Sequence, residues 1–80
     1  MTALYFEGKQ IFITTHAIKR ARLRNIAFPD QVYNTIKTGK VIKFGKNSIK
    51  FISRSKKGAI ICVGEDLGQI IIIKTVERGN

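Results

Sequence analysis

Eighty residues with 44% hydrophobic side chains and one cysteine allow one domain, residues 1–80, with a modest core, and exclude a second domain or an internal disulfide. No unbroken apolar run approaches the about 20 residues of a membrane helix, and no secretion signal opens the chain, so the expected setting is the cytoplasm with no membrane partner. Fifteen Lys and Arg against five Asp and Glu give a net charge of +10, the electrostatic footprint of a polyanion partner.

The first stretch, "LYFEGKQIFITT", reads as two short strands around a turn at Gly8 and Lys9, because glycine tolerates the positive φ of a tight hairpin. Thr14 or Thr15 then caps a helix, its hydroxyl accepting from a first-turn amide. In that helix Ala17, Ile18 and Ala21 form a narrow apolar stripe, His16, Lys19 and Arg20 lie on another side, and Asn25 marks the end. A second helix starts near Pro29, whose fixed φ suits a first helical position, and presents Val32, Tyr33 and Ile36 on one face until Gly39 stops it.

From Lys40 the period changes to two. "KVIKF", "SIKFIS", "AIICV" and "QIIIIKTV" read as strands separated by "GKN", "RSKKG" and "GEDLG". "SIKFIS" puts Ile49 and Phe51 on one face, whereas "AIICV" and "IIII" are apolar on both, as central strands are. The expected fold class is α+β: two N-terminal helices packed on a four-stranded antiparallel meander sheet, with a short N-terminal strand or hairpin. Tyr5, Phe12, Tyr33, Phe44 and Phe51 are all assigned to the core, leaving no exposed stacking pair.

Between Asp30 and Glu65 the chain has no carboxylate, while Lys37, Lys40, Lys43, Lys46, Lys50, Arg54, Lys56 and Lys57 fall in that interval. Four or five of these neutralising phosphates would give a log–log salt slope of about −4 on duplex DNA. On the first helix His16, Lys19 and Arg20 share a face, with Arg24 a further turn along. Like charges so placed cost a few tenths of a kcal/mol per pair unless an anion compensates them.

One histidine, one cysteine and five scattered carboxylates do not assemble a metal site, and Gly45, Gly58, Gly64 and Gly68 are too far apart for a nucleotide-cofactor loop, so neither metal nor cofactor is expected. Cys62, inside an apolar strand, reads as a small core residue. Metal-free RNA cleavage fits these residue types, because attack by the 2′-hydroxyl needs a proton acceptor, a donor and fixed positive charge. His16, Lys19, Arg20 and Arg24 supply such groups, and Lys74 and Thr75 at the end of the last strand add a cation and a hydroxyl. Against this, His16 also serves as a capping or packing residue, and Thr75 as a β-branched strand former.

The pattern His16-Ala17, Arg20, Arg24, Ile26, then Val32, Ile36, Gly39 and Val41-Ile42, then strands closing on "IIKTV", resembles a family of small bacterial and archaeal domains that open on a His-Ala-x-x-Arg-x-x-x-Arg helix. That family is similar to the RelE/ParE toxins. The resemblance runs from Ile13 to Val76 and implies the fold shared by barnase, EndoU, colicin and RelE-type nucleases. It implies His16 as acid/base, Arg20 and Arg24 as a phosphate clamp, and Thr75 as a strand-borne hydroxyl, which makes His16, Arg20 and Thr75 the candidate catalytic residues. Lys19, Arg24, Lys43, Lys46, Lys50, Arg54, Lys56, Lys57 and Lys74 are the candidate nucleic-acid contacts. "AIICV" and the tail "ERGN" depart from RelE toxins, which carry basic central strands and often a catalytic C-terminal residue.

Three functions follow as expectations. The first is a toxin-like protein that binds RNA in preference to DNA and cleaves it without metal. The second is a non-catalytic nucleic-acid binder. The third is a ParE-like protein-interaction module whose charge answers an acidic antitoxin.

Overall fold

Glu7 and Gly8 both have positive φ, 50° and 80°. This is the two-residue turn whose twist suits a hairpin, one position earlier than expected. It joins β1 (Leu4–Phe6) to β2 (Lys9–Ile13), with Leu4 opposite Ile11. These elements belong to a computed structural model that describes residues 4–79. Two helices follow, α1 (Thr15–Leu23) and α2 (Asp30–Thr38), each nine residues long. Then come β3 (Lys40–Phe44), β4 (Ser48–Ser55), β5 (Gly58–Asp66) and β6 (Ile70–Gly79). Among the described residues no helix is long and apolar enough to cross a membrane.

The sheet corrects the expected fold class. Instead of two helices on a four-stranded antiparallel meander with a separate hairpin, all six strands form one mixed, curled half-barrel in the order β1-β2-β6-β5-β4-β3. β2 runs parallel to β6, from Gln10 opposite Ile70 to Ile13 opposite Ile73, and so fastens the hairpin to the rest. Ile70–Ile73 is apolar on both faces because it is a central strand with a neighbour on each side. Nothing local announces that neighbour, since a parallel partner about 60 residues away needs no turn between the strands.

β2 leaves the sheet at Thr14. Its amide donates to Ile73 O at 3.1 Å and its hydroxyl to Lys74 O at 3.4 Å, while the same Oγ1 accepts from the Ala17 amide at 3.1 Å. One residue thus ends the parallel ladder and caps α1. At the other end of α1, Arg78 donates from Nε to Arg24 O and from Nη2 to Asn25 O, each at 3.2 Å. A cation there satisfies open carbonyls and complements the helix dipole.

One face of the sheet is covered. Ile11, Ile49, Phe51, Cys62, Ile71, Ile73 and Val76 are buried against Ala17 and Ala21 of α1 and Val32 and Ile36 of α2. Phe6 meets Phe51 edge-on at 5.1 Å between centroids. Burial pushes the Cys62 thiol up to about 12, so it stays protonated and acts as a core residue. Thr35 is also buried, and its hydroxyl donates to Gln31 O at 2.8 Å.

Two glycines set the spacing of these layers. A Cβ on Gly39 would meet Ile52 O at 2.7 Å, so α2 stops where its chain passes against β4. Gly39 has φ −75°, so close approach rather than left-handed backbone requires glycine here. Gly64 sits at a bulge: Val63 is opposite Thr75 but Gly64 is opposite Ile73, which leaves Lys74 as the extra residue. A Cβ on Gly64 would collide with the Ile72 carbonyl.

Candidate nucleic-acid interface

Strand alternation sends every second side chain to the face that carries no helix. Because Ile11, Phe51 and Cys62 point into the core, Phe12, Lys50, Ile52, Ile61 and Val63 point the other way. The registers place Phe12, Ile72, Glu65, Ser48 and Phe44 in one row across five strands. Thr75, Val63, Lys50 and Ile42 form the next row. Ile42, Ile52, Ile61, Val63 and Ile72 are half-buried, making an apolar floor.

Three aromatic rings assigned to the core from their type stand on this face instead. Tyr5 is 57% exposed, Phe12 47% and Phe44 43%. Alternation within "QIFI" was the available signal, since burying Ile11 and Ile13 turns Phe12 outward. The Lys50 ammonium lies 5.5 Å from the centroid of the Phe44 ring, over its face. Tyr33 and Phe51 do pack inward, Tyr33 edge-on to Phe28 at 5.9 Å.

The cations divide among four places. Lys50 and Arg54 stand on the open face, and Lys56 and Lys57 form the turn between β4 and β5 at one end of the sheet. Lys43 near the end of β3 and Lys46 in the β3–β4 turn stand at the opposite end. His16, Lys19 and Arg20 ride on α1 and Arg24 caps its C-terminus, on the covered side. Two ammonium groups are matched by carboxylates: Lys74 bonds Glu65 on the open face, and Lys9 bonds Asp66 at 2.7 Å.

His16 and Arg20 are brought together. Arg20 Nε donates to His16 Nε2 at 3.3 Å, and both residues are accessible on the helix surface. Arg24 follows one turn on. Thr75 is not with them, because it lies opposite Val63 and projects from the open face while α1 packs on the other. Among the described residues no three His, Cys, Asp or Glu side chains gather in one place.

No family model, curated protein or solved structure matches the chain. Lys50 and Arg54 beside solvent-facing rings suit a ligand that is both anionic and aromatic.

Proposed function

We propose that the protein binds single-stranded RNA on the helix-free face of its sheet. The observation that carries this reading is the row running from Phe12 to Phe44, two exposed rings at opposite sides of an apolar floor, with the Lys50 ammonium over one of them. Four strand steps separate β2 from β3, about 19 Å along the sheet, enough for several unstacked bases. Bases stack on such rings whatever their identity, while Lys50, Arg54 and Lys40 hold phosphates alongside. The single carboxylate in the row, Glu65, is answered by Lys74.

Equilibrium binding of a fluorescent, unstructured oligoribonucleotide tests this. Replacing Phe12 or Phe44 with alanine is expected to cost about 1–3 kcal/mol each. Three phosphate contacts predict a log–log salt slope of about −2 on a single strand. Affinity that ignores both substitutions and salt defeats the reading, and equal affinity for single-stranded DNA moves it to single strands in general.

A second reading, metal-independent cleavage, is favoured by one contact. The His16 acceptor nitrogen sits 3.3 Å from Arg20 Nε, beside Lys19 and Arg24, so a proton acceptor and phosphate-binding cations share one helix. This is the activity implied by the resemblance to RelE/ParE toxins. Products ending in a 2′,3′-cyclic phosphate, lost in His16→Ala with binding retained, support it; intact RNA after prolonged incubation with wild type rejects it.

A further inference from the structure

The β3–β4 and β5–β6 turns at one end of the sheet border a cleft, to which Phe44 contributes from the open face and Lys43 and Asp66 from the other. Its volume is about 430 Å³, and Lys43, Phe44, Lys46, Asn47, Asp66 and Leu67 line it. That volume is within the range of small-ligand sites, about 300–1,000 Å³. The two turns are tied together, since the Asp66 amide donates to Asn47 O at 2.7 Å. Gly45 and Gly68 have φ of 59° and 96°, a backbone that favours glycine. A Cβ on Gly68 would meet nothing within 4 Å, so the entrance is free of side chains there.

The charges in the cleft do not cancel. Asp66 already accepts from Lys9 Nζ at 2.7 Å and from the Gly68 amide at 2.9 Å. With that carboxylate answered by Lys9, Lys43 and Lys46 remain as an excess of two positive charges beside two apolar walls, Phe44 and Leu67. A phosphodiester carries one negative charge, whereas a phosphomonoester carries about −1.5 to −2 at neutral pH. Two ammonium groups beside an exposed ring thus match a terminal nucleotide better than an internal one.

We propose that this cleft holds a nucleotide bearing a terminal phosphomonoester, its base against Phe44 and Leu67 and its phosphate between Lys43 and Lys46. The proposal rests on the RNA-binding reading through Phe44, which belongs both to the cleft and to the row across the open face. It gives a bound strand an end and a direction.

The test compares one unstructured octaribonucleotide with a 5′-phosphate, with a 3′-phosphate and with neither, in the full chain at fixed salt. One of the phosphorylated forms is expected to bind about tenfold more tightly than the form with neither. In the double variant Lys43→Ala, Lys46→Ala the three forms are expected to fall within about twofold of one another, because the charges that distinguish them are gone. Three equal affinities in the wild type overturn the cleft assignment and leave the RNA reading standing. If none of the three binds, the RNA reading fails, and a titration with adenosine monophosphate decides the cleft. Amide shifts at Phe44, Lys46 and Asn47 then support it for a free nucleotide, and their absence overturns it.

Discussion

Asp66 shows how one side chain serves both the fold and the cleft. The Lys9 ammonium, followed by the Gly68 amide, holds its carboxyl below the usual aspartate range. A carboxyl depressed on folding stabilises the native state above its unfolded value and loses that effect as pH falls through its lower folded value. The stability gap between wild type and Asp66→Asn is therefore expected to be constant from neutrality down to about pH 5 and to close as pH drops below about 4. Urea unfolding across that range checks it; a gap undiminished at pH 2 means that the carboxylate charge is not the cause. Other residues at this scale were readable for the wrong reason. Gly39 ends α2 as expected, its amide donating to Thr35 O, but what demands glycine there is the close approach to the Ile52 carbonyl. Only the packed structure holds that information.

At the scale of elements, period and turn residues locate both helices and the cores of the strands, because those signals are local, but β4, β5 and β6 run on into "RSKKG", "GEDLG" and "ERGN", where pairing with a neighbour overrides the turn residues. Pairing is not local. The parallel ladder between β2 and β6 joins residues 60 apart in sequence, Ile11 to Ile71 among them, and this contact makes one sheet from a hairpin and a meander. Ile11→Ala is accordingly expected to destabilise the whole domain by about 2–5 kcal/mol, with fluorescence and circular dichroism reporting one shared transition. Early melting of the hairpin alone would contradict a common core. The bulge at Lys74 hides the phase of β6 in the same way. Strict alternation from Ile71 and Ile73 sends Thr75 inward, yet the inserted Lys74 turns Thr75 outward and buries Val76. A catalytic role for Thr75 beside His16 needs both on one side of the sheet, and the sheet lies between them.

Across the whole molecule, the excess of ten positive charges announces an anionic partner from composition alone, but composition does not say where the partner sits. The fold spreads the cations over α1, two ends of the sheet and the open face, and on that face and its adjoining cleft they stand beside exposed apolar rings. Aromatic type pointed to the core for Tyr5, Phe12 and Phe44, since a large apolar ring is buried more often than not. Their exposure depends on which face of the sheet the helices leave uncovered, a tertiary fact that appears only when α1 and α2 are in place. The most direct test is an amide-resolved NMR titration of the protein with an unstructured octaribonucleotide. The account predicts shifts that cluster at Phe12, Phe44, Lys50, Val63 and Ile72 and weaken as salt rises. Shifts confined to α1 around His16 and Arg20, or scattered evenly over the surface, would contradict it.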